Sequence, residues 1–307
     1  MLALSTCWNT ERHEDGEAML AEIAELGFSA IEIGYATKVT QVEGIDRFLR
    51  EHPGMRVVSV HNHCPIPLES LRPLPDPFLL TAGDPAERRK AIYYTLQTLD
   101  FAVHMKAPIV VIHLGQITGK PSTRHLMDLA SAGKRDTPEY RQAVAAAKDY
   151  RQRHIRQPFL FAMKSLETLL PEARQRGLTL GLEGRLYIED IPSAEEFDII
   201  FKEFRGEPAA YWHDTGHVQV KHELGLLDHA QWLQHFAPQL AGSHLHDVIP
   251  PCQDHQMPGT GVIPFERLTP LHQANVTKVL ELSRHVPVES IRQHLPALKK
   301  LFSEKAA

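Results

Sequence analysis

The chain is poor in cysteine. Its 307 residues hold only Cys7, Cys64 and Cys252, and no CxxC pair. An odd, scattered set of thiols argues against a disulfide framework and fits a reducing cytoplasm. Long apolar runs are also missing: none approaches the ~20 residues that span a bilayer, so no membrane partner is expected. Residues 1–10 lack a basic stretch followed by a long apolar one, which gives no signal-peptide expectation. Excess positive charge is absent too. A formal net charge of -5 creates no general field for phosphate backbones, so nucleic acid is not an expected partner, although a local basic groove stays open. Disorder is excluded by a hydrophobic content of 43%, with aromatic and β-branched residues throughout.

Histidine, by contrast, is abundant, with 19 residues, and its placement is informative. Six short apolar runs each end in a residue able to bind a metal. They are Val57-Val58-Ser59-Val60-His61, Ile109-Val110-Val111-Ile112-His113, Leu178-Thr179-Leu180-Gly181-Leu182-Glu183, Tyr211-Trp212-His213-Asp214, Ala241-Gly242-Ser243-His244 and Val279-Leu280-Glu281. One such ending carries no information. Six in series predict strands whose C-terminal ends pool their ligands on one face.

Strand-like and helix-like segments alternate along the chain. Strands are expected at 2–5, 30–34, 56–60, 109–113, 178–183, 209–214, 241–246 and 276–282. Helices are expected at 16–26, 42–50, 86–105, 158–176, from Ser193, near 228–236, briefly near 265–273, and at 287–302. Ser193 with Glu196 reads as a capping box. Gly27 reads as the residue that ends a helix. Alternation of this kind implies a parallel sheet with right-handed crossovers. Eight units in a chain of this length fit an α/β fold, a (β/α)8 TIM barrel, with its site at the C-terminal face. An open doubly wound sheet is the competitor, and it does not account for ligands after so many different strands.

One barrel domain over residues 1–307 is therefore expected, with insertions at about 64–85 and 115–157. The first is stiffened by Pro65, Pro67, Pro73, Pro75, Pro77 and Pro85. The second is polar, with Lys134, Arg135, Arg151, Arg153 and Arg156. Long loops over a barrel mouth commonly serve as lids or substrate walls.

The motifs Leu182-Glu183-Gly184, Asp214-Thr215-Gly216-His217, His244-Leu245-His246-Asp247 and Leu280-Glu281-Leu282 occur in that order. With His113 before them and Pro258-Gly259-Thr260-Gly261 among them, the chain resembles the xylose isomerase-like barrel superfamily. That group includes sugar isomerases and epimerases, and endonuclease IV. The resemblance implies a metal held by Glu183, Asp214, His244 and Glu281. It makes Glu183 and Glu281 the acid/base pair and His217 the group that orients substrate hydroxyls. Alternation puts His244 and His246 on one side of their strand, and the family pattern selects His244. In endonuclease IV the same scaffold holds three zinc ions and draws on positions matching His61, His113, His217 and His255. This chain departs from that pattern at Gln253, where an aspartate is wanted two residues before His255. Asp254 is displaced by one, which counts against a third ion.

The residue types agree with this chemistry. A carboxylate and imidazole set suits one divalent ion, Mn, Zn, Co or Mg, with imidazole favouring the first three. Such an ion polarises a carbonyl and stabilises an enediolate, while paired carboxylates move the proton. His61, His113, Arg185, Glu32 and His255 are expected contacts of a small sugar-like substrate. Arg185 suits a phosphate or carboxylate. Asp214 is also placed to cap the next helix. The leading expectation is a metal-dependent isomerase or epimerase of a sugar, sugar phosphate or related hydroxy-carbonyl compound. The alternatives are an endonuclease IV-like phosphodiesterase with up to three Zn, and a non-catalytic ligand-binding barrel. No large apolar stripe marks an interface, so a homo-oligomer stays an open question.

Overall fold

A computed structural model describes residues 1–70, 73–119 and 122–302. Among them, eight parallel strands close into a barrel in simple sequential order. They are β1 (Leu2–Ser5), β2 (Ala30–Ile33), β3 (Arg56–His61), β4 (Ile109–Ile112), β5 (Thr179–Glu183), β6 (Ala209–Asp214), β7 (Leu240–Leu245) and β8 (Thr277–Leu280). β1 pairs with both β2 and β8, which closes the ring. The expected strands all form, with ends shifted by a few residues. The chain is thus a (β/α)8 TIM barrel.

Side-chain alternation along each strand sorts the interior into two layers. The lower layer is apolar: Ala3, Ala30, Ile109, Val111, Trp212 and Val279 pack together inside the barrel. Two residues further along four of the strands come His113, Asp214, His244 and Glu281, on the same inward face. Trp212 is the largest side chain of this lower layer. It fits because its neighbours have no side chain. A Cβ at Gly242 would overlap Trp212 Cζ3, and one at Gly181 would come within 3.1 Å of Cε3. The polar groups above therefore stand on a buried, largely apolar floor. A second, larger core packs the outer strand faces against the helices.

Several elements differ from the sequence expectation. Within 115–157 two helices form, Thr123–Ser131 and Pro138–His154. The second starts at Thr137, whose side chain accepts from the Tyr140 amide. Its polar composition reflects a solvated helix, not a loop. The helix Thr215–Glu223 shows no sequence periodicity because Thr215 through Lys221 are all buried, so no polar stripe marks its outer side. The short helix near 265–273 is two 3-10 turns, Phe265–Arg267 and Thr269–His272. Pro270 starts the second turn and cannot donate into a continuous helix. Described parts of 64–85 are irregular, as expected. Residues 71–72, 120–121 and 303–307, which belong to the expected insertions and C-terminus, lie outside the described residues.

Candidate metal centre and cavity

The C-terminal ends of the strands bring the motif residues together. Asp214 on β6 lies in register with His244 on β7, and His244 with Val279 on β8. Around His244 Nδ1 stand Glu281 Oε2 at 3.3 Å, Glu183 Oε2 at 3.4 Å and Asp214 Oδ2 at 3.9 Å. The three carboxylates are buried: none is more than 5% exposed.

This cluster fits a divalent cation. His244 Nδ1 and His217 Nδ1 are buried and have no hydrogen-bond partner, although carboxylate oxygens lie close by. Buried donors of this kind are normally paired. Three carboxylates gathered out of water also require opposing charge. Ligand atoms of Glu183, Asp214 and His244 lie within 4.8 Å of one another, and their chemistry suits Mn, Zn, Co or Mg.

The surrounding bonds orient these groups. His244 Nε2 lies 3.1 Å from Glu32 Oε2, and Ser59 Oγ donates to the same oxygen at 2.7 Å. His246 Nδ1 accepts from the His255 amide at 2.8 Å. Its Nε2 therefore carries the proton and donates to Asp214 at 2.9 Å. Thus His244 points an unpartnered nitrogen at the cluster, whereas His246 supports Asp214. The other oxygen of Asp214 accepts from the His217 amide at 2.7 Å and caps the helix Thr215–Glu223. Capping and metal binding are compatible because they use different oxygens.

Electrostatics agree with this arrangement. Burial opposes ionisation of Glu183, but the charges of His113 and His244 hold its carboxyl well below the usual range. Glu281 is likewise lowered against burial by His244 and His255. His244 is raised well above the ordinary imidazole value, against burial, by Glu281, Glu32 and Glu183. The field that holds a proton on His244 is the field a divalent ion would neutralise, with release of that proton.

A cavity of about 370 Å³ opens above the cluster. His61, His113, Glu183, His217, His255 and Glu281 all line it. His61 Nδ1 donates to the Asn62 carbonyl at 2.6 Å, which leaves Nε2 facing Glu183 Oε2 at 3.5 Å. His113 Nε2 lies 3.1 Å from the same oxygen. His255 sits on a short strand, Gln253–Gln256, paired with Asp247–Ile249. Asp254 reaches this side despite its one-residue displacement: Oδ2 is 3.3 Å from His255 Nδ1 and 3.9 Å from His217 Nε2.

One expected substrate contact, Glu32, is corrected. Glu32 does not line the cavity. It is fully buried behind the His244 ring, because the inward face at the end of β2 abuts β7 side chains across the barrel. Arg185 lines the cavity, but Nη1 is bonded to the carboxylate of Asp76, so its carboxylate partner is internal to the chain.

Asp76 and Asp247 are not among the site residues expected from the sequence. Asp76, between two prolines, also bonds His113 Nδ1 at 3.0 Å. Burial disfavours its charge, yet His113 and Arg185 hold its carboxyl below the ordinary range. In turn His113 is pushed up to about 9, against burial, chiefly by Asp76. Asp247 accepts from the amides of Val248, Gly259, Gly261 and Ile263 at 2.8–3.0 Å. It folds the Pro258-Gly259-Thr260-Gly261 segment. An acid three residues past a candidate ligand and ahead of a Gly-rich stretch was the available signal.

Comparison with known proteins agrees with the fold. Among solved structures, a D-tagatose 3-epimerase-like protein superposes with a TM-score of 0.69 at 16% identity, covering 100% of this chain and 99% of its own. The 3-keto-D-glucoside 4-epimerase of E. coli in its apo form gives 0.67 at 14% identity, over 97% and 98%. An IolI protein with a bound zinc atom gives 0.64 at 13% identity, over 98% of each chain. No curated protein matches the chain in sequence. The xylose isomerase-like TIM barrel family model matches residues 20–301, and the chain belongs to that family.

Proposed function

We propose that this protein is a metal-dependent isomerase or epimerase of a sugar or related hydroxy-carbonyl compound. One observation carries the reading. Glu183 and Glu281 approach the same nitrogen, His244 Nδ1, from β5 and β8, at 3.4 and 3.3 Å, and both line the cavity. Two carboxylates on different sides of one small cavity can address both faces of a flat intermediate. The names of the structural neighbours, one a keto-glucoside epimerase, one a tagatose epimerase-like protein and one a protein with a bound zinc atom, support the same direction.

Glu183, Asp214, His244 and Glu281 would hold the ion. When bound, the ion supplies Lewis-acid polarisation of the substrate carbonyl and charge neutralisation. One glutamate removes the proton from the carbon next to the carbonyl. The other delivers a proton to the neighbouring carbon, for isomerisation, or to the opposite face, for epimerisation. Acid–base work of this kind is typically worth ~10²–10⁴ in rate. His217, His61 and His113 present ring nitrogens to substrate hydroxyls. The Trp212 floor excludes water from below and strengthens each of these interactions.

The test is elemental analysis of protein purified without chelator, followed by incubation with free ketoses and aldoses in deuterated water. About one ion per chain, with deuterium entering the carbon next to the carbonyl, is the expected result. Absence of exchange across such a panel, with the ion bound, would overturn the reading.

A second reading is a multi-zinc phosphodiesterase. It is favoured by the convergence of His61 and His113 on Glu183, and of Asp254 and His255 beside His217. Ligand atoms of His61, His113 and Glu183 lie within 4.8 Å of one another, as do those of His217, His246 and His255, and Asp254 Oδ2 is 3.3 Å from His255 Nδ1. Two or three zinc ions per chain, and cleavage of an abasic-site duplex, would replace the first reading with this one.

A further inference from the structure

Asp76 joins three parts of the molecule that are remote in sequence. It belongs to the proline-rich segment, 37 residues from His113 and 109 from Arg185, and its carboxylate bonds both. His113 follows β4 and Arg185 follows β5, so the carboxylate clamps two adjacent strand ends to one loop. Its neighbour Pro75 lines the cavity. The rest of the segment is anchored elsewhere. Phe78 stacks on Tyr94 with ring centroids 5.2 Å apart. Thr81 Oγ1 donates to the Gln116 carbonyl and accepts from the Gln116 amide, both at 3.1 Å. Ser165 Oγ donates to the Leu80 carbonyl at 2.9 Å. Asp76 ties the Pro75–Asp76–Pro77 tip to the ends of β4 and β5 through two side-chain bonds.

We propose that Asp76 is a positioning residue for the cavity: it holds Pro75 as a substrate-facing wall and sets the His113 ring and the Arg185 guanidinium in place along the same wall. The proposal rests on the isomerase or epimerase reading for its kinetic part only. With Nδ1 of His113 committed to Asp76, Nε2 is turned toward Glu183 and the cavity. With Nη1 of Arg185 committed to Asp76, the guanidinium is held at the cavity wall. Glu183 itself is also faced by His61, His217 and His244, so it keeps its place without Asp76. Loss of Asp76 should therefore weaken substrate binding more than it slows proton transfer.

The experiment compares the metal-loaded full chain with Asp76→Ala and Asp76→Asn. Asparagine keeps the shape and one carbonyl oxygen, but it loses the negative charge and cannot serve His113 and Arg185 equally. It also guards against misfolding of the alanine variant. Three quantities are measured: metal content, KM against kcat on a turned-over sugar, and the imidazole N–H signals of ¹⁵N-histidine-labelled protein. The expected result is unchanged metal content, KM raised about tenfold or more in Asp76→Ala, kcat within about threefold, and a smaller KM increase in Asp76→Asn. One protected Nδ1–H signal, that of His113, should vanish in Asp76→Ala. Unchanged KM with that signal retained would overturn the proposal, as would a fall in thermal stability with neither altered. If wild type turns over no sugar, the functional reading fails, and the histidine signal still decides whether Asp76 fixes His113.

Discussion

Glu32 and His244 form a buried pair in which the carboxylate holds the ring by its far nitrogen, Nε2, at 3.1 Å. Both side chains are fully buried, and neither has room to turn. The consequence is directional: Nδ1 faces Glu183, Asp214 and Glu281. A carboxylate behind a ligating histidine fixes its tautomer and makes it a stronger donor. Glu32→Gln should therefore lower metal affinity by about 10–100-fold without removing a ligand. Competition titration against a chromophoric chelator would measure it. An unchanged dissociation constant would show that His244 is not a ligand, or that Glu32 does not orient it.

Replacement of either glutamate of the proposed acid/base pair separates chemistry from folding. Glu183→Gln and Glu281→Gln preserve shape and remove the proton-accepting charge. Turnover should fall by about 10²-fold or more in each, in line with loss of a general base, while circular dichroism stays that of the parent. Residual activity near the wild-type level in either variant would remove that residue from the acid/base pair.

Much of this arrangement is legible in the sequence, for a physical reason. Strands of a parallel barrel are buried on both faces and read as apolar runs, so a polar residue at the end of one stands out. That signal exposes His61, His113, Glu183, Asp214, His244 and Glu281. It also picks out Glu32, and there it misleads, because a strand end does not say whether a side chain meets substrate or another side chain across the barrel. The pairing with His244 spans 212 residues. Asp76 is invisible for the opposite reason: it sits in an irregular segment with no period to violate. The helix Thr215–Glu223 goes unread because a helix buried nearly all round has no polar stripe.

The floor of the site has its own test. Gly242 and Gly181 leave space for Trp212, and the ring supports the His244 ring, with centroids 5.2 Å apart. Gly242→Ala forces backbone or ring to move and should destabilise the fold by about 1–3 kcal/mol, the usual range for overpacking a filled core. Gly181→Ala, whose added carbon would be only slightly too close, should cost less. Gly54→Ala, where nothing lies within 4 Å, serves as the control. Denaturant midpoints would rank the three. A Gly242→Ala variant as stable as the Gly54→Ala control would contradict the packing account.

Metal removal should be felt as stability, not only as activity. Glu183, Asp214 and Glu281 lie together out of water, opposed in the free protein by the charges of His113, His244 and His255 and by those of Arg185 and Lys221. An ion that binds the folded chain and not the unfolded one stabilises it by about 2.7 kcal/mol at a free concentration one hundred times its dissociation constant. Dialysis against a chelator should therefore lower the thermal midpoint, and Mn or Zn added back should restore it in proportion to the logarithm of its free concentration. Asp214→Asn should flatten that dependence, because it removes charge from the ligand set, although loss of a negative charge at the helix N-terminus lowers its starting stability as well. Calorimetry across a metal series measures both effects. A midpoint indifferent to chelator and to every divalent ion tried would mean that this cluster of carboxylates and imidazoles is held together by protons alone.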